Sequence, residues 1–143
     1  MSQFSICTGR WDELQNDAKL IREQVFIQEQ QIAVADEWDA EDAVSVHFVV
    51  YDQDQPIATA RLLQNNSVGR VAVLKSHRGL GIGKLLMQQI IQQAKHQQRE
   101  FLKLSSQVHA IQFYAGLGFK VEGEQYLDCG IPHIEMRLLF AGA

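Results

Sequence analysis

The chain has 143 residues, 46% of them hydrophobic and 21% charged, which is enough for one globular domain with a core. Two cysteines, Cys7 and Cys129, provide no disulfide framework and no metal-ligand spacing, and no segment predicts a membrane span or a signal peptide, so we expect a cytoplasmic protein without a metal. The net charge of −4 and the lack of a basic stripe with interleaved aromatic residues argue against nucleic-acid binding.

Charge is unevenly distributed along the chain. Residues 55–99 contain seven basic residues and no acidic one, whereas residues 1–54 contain twelve acidic and three basic residues. A positive block can focus an anionic ligand, and an acidic remainder can attract a cationic one. The alternative, that blocks in sequence do not form surface patches, stays open at this point.

The first third of the chain predicts a strand, a helix and a connection. The strand covers residues 2–8, and Asp17 is the expected N-cap of a helix that runs to about Gln28. Residues 32–44 are expected to form an irregular or partly helical, solvated connection, with a substrate-facing rim as the alternative. The acidic residues in this connection are Asp36, Glu37, Asp39, Glu41 and Asp42.

The remaining elements alternate between apolar runs and helical periodicity. Strands are predicted over residues 46–51, 56–63, 68–74, 100–105, 119–126 and 131–140, and helices over residues 81–97 and 108–117. The order β-α-β-β-β-α-β-α-β-β predicts an α/β (α+β) fold in one domain over residues 1–143, with a mixed central sheet of about seven strands flanked by helices.

A glycine-rich turn joins the central strand to the long helix. Gly79, Gly81 and Gly83 precede or open the helix, which leaves its first N–H groups bare. These donors and the positive end of the helix dipole favour a phosphate, and Arg78 and Lys84 add charge. The spacing fits neither a Walker loop nor the dinucleotide fingerprint. A turn without a ligand is the alternative.

The pattern Arg-x-x-Gly-x-Gly, read from Arg78, resembles the pyrophosphate-binding loop of the GNAT N-acetyltransferases, which hold acetyl-CoA. The predicted element order is similar to the GNAT fold along nearly the whole chain. Finer features resemble the ElaA/YjcF-type subgroup of that family. These features are residues 25–30, Asp39, His47, residues 60–62, Gln107, His109 and residues 130–134.

The resemblance implies acetyl-CoA as co-substrate, no metal, and two sets of site residues. The implied acetyl-CoA-binding residues are Val71, Ala72, Val73, Arg78, Gly79, Leu80, Gly81, Ile82, Gly83, Lys84, His109 and Phe113. Among them, backbone N–H groups of the central strand are expected to bond the pantetheine arm and the acetyl oxygen if that strand splays from its neighbour. His109 stands where many family members have an asparagine. The implied substrate-binding residues are Glu29, His47, Arg61 and His133.

Acyl transfer from a thioester needs a polarised carbonyl, a neutral amine and a proton for the leaving thiolate. Residues 110–119 resemble the GNAT block in which a helix tyrosine acts as general acid, so Tyr114 is the predicted acid. A tyrosine packed for its ring area is the structural alternative. The base stays open among Glu29, His47, Asp128 and His133, and Cys129 is not favoured as a covalent nucleophile.

The predicted function is an acetyl-CoA-dependent N-acetyltransferase that transfers an acetyl group to the amine of a small molecule, or to an amino group, by direct attack in a ternary complex. Two alternatives are a non-catalytic acetyl-CoA-binding sensor or interaction domain, and a protein-lysine acetyltransferase. The predicted partners are acetyl-CoA and an amine acceptor, without nucleic acid or membrane, and a homodimer is compatible with the resemblance.

Overall fold

The structure, a computed structural model, describes residues 3–140. Residue 2 of the predicted first strand and residues 1, 2 and 141–143 of the predicted domain lie outside the described residues. The strands are β1 Phe4–Gly9, β2 Val46–Asp52, β3 Gln55–Leu62, β4 Ser67–Val73, β5 Phe101–Gln107, β6 Lys120–Asp128 and β7 Ile131–Leu139. The α-helices are α1 Trp11–Arg22, α2 Val34–Glu37, α3 Ile82–His96 and α4 Ile111–Ala115.

Short helical turns of other types connect these elements. Glu23–Glu29 extends α1 as a π-helical turn, which we call the π turn, and single-turn 3-10 helices cover Ala40–Val44, Lys75–His77 and Val108–Ala110. Wide turns of the π type occur mostly at functional sites.

All seven strands form one sheet in the order β1-β2-β3-β4-β5-β7-β6. β4 and β5 are parallel, and the other neighbouring pairs are antiparallel. The prediction of a mixed seven-stranded sheet flanked by helices is therefore confirmed.

The core lies at the central strands. Every residue of 47–50 in β2 and of 57–62 in β3 is buried. Since successive side chains of a strand point to opposite faces of the sheet, both faces are covered there. α1 and α3 are the long helices that pack on these strands, whereas β6 is an edge strand with all nine residues exposed.

The first helix begins six residues before the predicted N-cap. Its start is stabilised by the Glu13 carboxylate, which accepts the Arg10 backbone N–H at 2.9 Å. The carboxylate of Asp17 instead accepts the Tyr51 hydroxyl of β2 at 2.5 Å. The prediction for Asp17 was wrong because a distant tyrosine, rather than a local N–H, satisfies its side chain.

The acidic connection is partly helical, as predicted, but two of its five acidic residues are not solvated. Glu37 and Asp42 are only 1% and 3% exposed. The guanidinium of Arg22 lies between them and donates from Nε to Glu37 Oε2 at 2.7 Å and from Nη1 to Asp42 Oδ1 at 2.8 Å. Burial without such partners would be costly for either carboxylate. A single arginine of α1 thus holds α2 and the following 3-10 turn against the core.

Replacing this arginine tests how much the buried network contributes to stability. Arg22→Met leaves Glu37 and Asp42 buried with one charged partner fewer, so we expect a loss of about 3–5 kcal/mol in the free energy of unfolding. Arg22→Lys keeps the charge but cannot reach both carboxylates with a planar fork, so it should also destabilise, by less. Urea unfolding followed by circular dichroism measures both values.

Arg10→Met is the matched control, because Arg10 makes only exposed ion pairs with Asp12 and Glu13. Its effect should stay below about 1 kcal/mol. An Arg22→Met protein as stable as the Arg10→Met protein would contradict a supporting role for the network.

Candidate active site

β4 and β5 separate after a very short parallel pairing. Only two residue pairs join them, Ser67 with Lys103 and Val68 with Leu104. Beyond Val68 the register between β4 and β3 also shifts, and Arg70 takes a positive φ of 52°. The shift is that of a β-bulge, which bends β4 away from its neighbour. β4 therefore splays from β5, which is the condition on which the sequence-based expectation for its N–H groups depended.

A cavity of about 630 Å³ fills the gap between the two strands. Residues 68–73 form one wall, and Leu104, Ser105 and Gln107 of β5 form the other. The π turn, α2, the start of α4 and the β6–β7 turn close the remaining sides. Its size is typical of a site for a small ligand.

The backbone of Val73 is turned toward this opening. Leu74 N–H donates to the Ile57 carbonyl on the β3 side at 2.9 Å. Because N–H directions alternate along a strand, Ala72 N–H also points to β3, while Val73 N–H and C=O point away from it. The Val73 carbonyl accepts Arg78 Nε at 2.9 Å, which is consistent with that direction. Of Ala72 and Val73, which the resemblance implies as acetyl-CoA-binding residues, Val73 thus presents the available N–H donor.

The glycine-rich turn has the geometry of an open anion cradle. Gly79 and Gly81 both have a φ of 80°, and a Cβ built on either would meet no atom within 4 Å. α3 begins after Gly81, and its first helical hydrogen bond runs from Leu85 N–H to the Gly81 carbonyl. Among residues 3–140 no acceptor contacts the N–H groups of residues 82–84. Nothing in the described chain plugs the helix start.

The two flanking cations differ in their surroundings. Lys84 is exposed and forms no ion pair with any described residue. Arg78 is held by a bidentate ion pair in which Nη1 and Nη2 donate to the Glu29 carboxylate at 2.6 and 2.7 Å. Hydrogen bonding by Arg78 keeps the pKa of Glu29 below its ordinary value. Arg78 is therefore not the free charge that the sequence suggested, and Glu29 is already occupied.

Tyr114 reaches the cavity from α4. Its side chain is 9% exposed, and its ring packs edge-on against Phe113 and Phe119 at centroid distances of 5.0 and 6.0 Å. The hydroxyl has no hydrogen-bond partner among the described residues, so the backbone partner of the structural alternative is absent there. Burial raises the Tyr114 pKa to about 12, so the phenol stays protonated at neutral pH.

A chain of polar side chains crosses the cavity near Tyr114. His109 Nε2 lies 2.8 Å from Gln107 Oε1, and Gln107 Nε2 donates at 3.2 Å to Oε1 of Gln30, the residue after the π turn. An amide oxygen only accepts hydrogen bonds, so Nε2 of His109 carries the proton. His109 therefore lines the cavity as a hydrogen-bond donor to protein.

His133 occupies the wall formed by β7. It is 9% exposed, and its Nδ1 lies 2.7 Å from the Ile131 carbonyl. The ring stacks on Tyr126 at 6.1 Å, and the Tyr126 hydroxyl in turn contacts Ser105 and Glu135. Asp128 and Cys129 line the same side of the cavity from the β6–β7 turn.

The structure does not support a substrate-binding role for His47 or Arg61. His47 is 1% exposed, donates from Nε2 to the Asp42 carbonyl at 2.8 Å and packs on Trp11. Burial lowers its pKa. Arg61 forms a bidentate ion pair with Asp39 and a third bond to Asp42. Neither residue lines the cavity, because both belong to the buried network.

The cavity also contains residues that the sequence analysis did not assign to a site. Arg70 lines it from β4 and joins Glu37 of α2 through a 3.0 Å bond to the carbonyl and a 3.3 Å ion pair to the carboxylate. Gln30 and Asp36 also line it. Asp36 carried a sequence signal, because it belongs to the acidic connection for which a substrate-facing rim was the alternative.

Residues 3–140 contain neither a metal-ligand cluster nor a membrane-spanning helix. No group of three or more His, Cys, Asp or Glu side chains there is arranged to hold a metal ion. None of the helices in that range has the length and apolar character of a membrane span.

Comparisons with known proteins place this sequence and fold in one family. Residues 15–140 match the acetyltransferase (GNAT) domain family. The chain is 36% identical over 129 residues to the N-acetyltransferase YjcF of Bacillus subtilis, covering 87% of this chain and 92% of that protein. It superimposes on Escherichia coli ElaA with a TM-score of 0.86 and 27% identity, over 94% of this chain and 99% of the other. A Pseudomonas aeruginosa acyl-CoA N-acyltransferase gives a TM-score of 0.86 at 29% identity, with the same coverages.

Proposed function

The chain belongs to the GNAT acetyltransferase family, in the group of ElaA and YjcF, and we propose that it transfers an acetyl group from acetyl-CoA to the amine of a small molecule. The observation that carries the proposal is the splayed β4–β5 cleft, in which an open strand edge and a buried unpartnered phenol meet. The open start of α3 adjoins this cleft, since Arg78 and Phe113 line the cavity and the Phe113 ring lies beside Gly83. The amine is proposed to attack directly in a ternary complex. The pKa of the Cys129 thiol is raised, which disfavours the thiolate that a covalent route would need.

Acetyl-CoA fits the residues that the cleft presents. The N–H groups that open α3 and the φ of 80° at Gly79 and Gly81 suit a pyrophosphate, since only a backbone without a Cβ approaches so closely. Lys84 supplies an unpaired charge beside them. Acetyl-CoA, when bound, supplies a thioester carbonyl, and the N–H of Val73 is the strand donor available to its oxygen.

Tyr114 is proposed to donate the proton that the leaving thiolate takes up. Tyr114 lines the cavity, its hydroxyl has no competing partner among the described residues, and its raised pKa keeps the proton in place at the pH of catalysis. A phenol in this state donates a hydrogen bond to developing negative charge, which stabilises the transition state more than the ground state.

Two carboxylates favour an amine as acceptor. Asp36 of α2 and Asp128 of the β6–β7 turn both line the cavity, and neither forms an ion pair among the described residues. An ammonium group entering from solvent would be attracted to that side. A cavity of about 630 Å³ has the size of a small-molecule site, and the exposed unpaired cysteines Cys7 and Cys129 suit a reducing cytoplasm.

The function is tested by release of free thiol from acetyl-CoA in the presence of a panel of small amines, amino acids and lysine peptides. We expect amine-dependent release, with the small amines preferred. Tight acetyl-CoA binding without release from any amine would instead favour a non-catalytic sensor, and preference for peptides would favour a protein acetyltransferase.

Tyr114→Phe tests the proposed acid. Because the hydroxyl has no described partner, its removal should leave folding and acetyl-CoA affinity intact while lowering kcat by about 10²-fold or more. The raised pKa predicts that this defect is the same from about pH 6 to about pH 9.

Tyr51→Phe is the matched control, since the Tyr51 hydroxyl contacts Asp17 outside the cavity. It should turn over like the unmodified protein. An unchanged kcat for Tyr114→Phe would remove Tyr114 from the mechanism.

A pair of variants tests whether Arg78 leaves Glu29 for the pyrophosphate. Arg78→Gln should weaken acetyl-CoA binding roughly three- to tenfold, the loss of one exposed charge-assisted contact. Glu29→Gln releases the guanidinium and should strengthen binding. Calorimetry at low ionic strength measures both, with Arg99→Gln as the control, because Arg99 bonds the Leu63 carbonyl outside the cavity.

Changes of opposite sign in the two variants support a phosphate role. Changes of the same sign would mean that the ion pair only holds the π turn in place.

A further inference from the structure

The four candidate bases differ in the partners and the location of their side chains. Glu29 is occupied by Arg78, and His47 is buried outside the cavity. Asp128 lies in the cavity wall at the exposed end of β6, beside Cys129. His133 is the remaining candidate, and it is nine-tenths buried in the same wall.

The hydrogen bond made by His133 determines its tautomer. Its Nδ1 lies 2.7 Å from the Ile131 carbonyl, and a carbonyl oxygen can only accept, so Nδ1 must carry the hydrogen. A neutral imidazole has one N–H, which leaves Nε2 with its lone pair. Among the described residues nothing donates to Nε2. The nitrogen that can take a proton is thus left for whatever enters the cavity.

The ring is also held in position from the sheet. Tyr126 of β6 stacks on it with an interplanar angle of 25°, and the Tyr126 hydroxyl is bonded to Ser105 of β5 and to Glu135 of β7. Gln107 of β5 is its register partner on the other side and is itself bonded to His109 and Gln30. A base oriented through its other nitrogen and packed on both flanks has the usual arrangement of a catalytic imidazole.

We propose that Nε2 of His133 is the general base that takes the proton from the acceptor amine. The inference rests on the proposed function. One N–H bond of the ammonium breaks, its proton moves to Nε2 and then to water, and the freed lone pair forms the C–N bond. As the C–S bond breaks, Tyr114 gives its proton to the leaving thiolate. A second proton from the nitrogen then restores the Tyr114 hydroxyl. The products are the amide, the free thiol and one released proton.

Charged and titratable groups surround this base on the elements that form or adjoin the cavity wall. None of them is mutated in the test, so that any shift in the pH profile of kcat/KM reports on His133. They are Glu29 of the π turn, Asp36 and Glu37 of α2, Arg70 of β4, Arg78 before α3, His109 before α4, Tyr114 of α4, Tyr126, Asp128 and Cys129 around β6, and Glu135 of β7.

His133→Gln tests the proposal through its pH dependence. Near neutral pH we expect kcat/KM for the best amine to fall about 10²-fold or more, with acetyl-CoA affinity unchanged. The defect should shrink steadily toward about pH 9.5, because alkyl amines then lose their proton without help. A variant that only disturbs the structure would be impaired equally at every pH.

His96→Gln is the matched control, because His96 is exposed at the end of α3. It should keep the activity and the pH profile of the unmodified protein. A second measurement does not depend on turnover: nitrogen-15 NMR of the imidazoles should show His133 as the Nδ1–H tautomer, and the Nε2–H tautomer would overturn the proposal.

Two negative outcomes are distinguishable. An active unmodified protein whose kcat/KM is insensitive to His133→Gln, or equally reduced at all pH values, overturns the base assignment alone. An unmodified protein that binds acetyl-CoA but releases no thiol with any amine overturns the proposed function and this inference with it.

Discussion

β4 and β5 pair over two residues, and everything that the site needs follows from their separation beyond Val68. In a fully paired strand the N–H groups would be hydrogen-bonded to the neighbouring strand, and no cavity would remain. The bulge at Arg70 bends β4 away, so that Val73 keeps a free edge. At its end β4 leads through the glycine turn into α3, whose start adjoins the cavity at Arg78 and Phe113.

The wall beside the bulge, formed by α2, is held by paired charges. Arg22, Arg61 and Arg70 meet Glu37, Asp39 and Asp42 in a network whose formal charges balance. Burying either sign alone would be prohibitive, but a paired and hydrogen-bonded set is tolerated and costly to break. Since α2 is only one turn long and has no core of its own, this network determines where that wall lies. It couples the stability of the domain to the shape of the cavity.

The same network explains what became of the uneven charge along the chain. Arg61, Arg70 and Arg78 come from the segment without acids, and each pairs with acids of the first 54 residues. These three members of the positive block are therefore neutralised by acids of the first segment, Arg61 inside the fold and Arg78 at its surface. The field that remains near the helix start comes from Lys75 and Lys84, which form no ion pair with a described residue, and from the backbone itself.

The sequence by itself determined the element order, the mixed sheet and the strand–glycine turn–helix unit, because periodicity and glycine positions act over a few residues. Tyr114 was found through the resemblance of residues 110–119 to a GNAT block, and its role stays a prediction. Only the tertiary structure decided that Glu37 and Asp42 are buried, that Glu29 holds Arg78, and that the N–H of Val73 rather than that of Ala72 faces the cleft. These outcomes depend on contacts between residues up to 49 positions apart and on a bulge whose register no local pattern encodes. The direction of a side chain and the partner of a charge are properties of the assembled sheet.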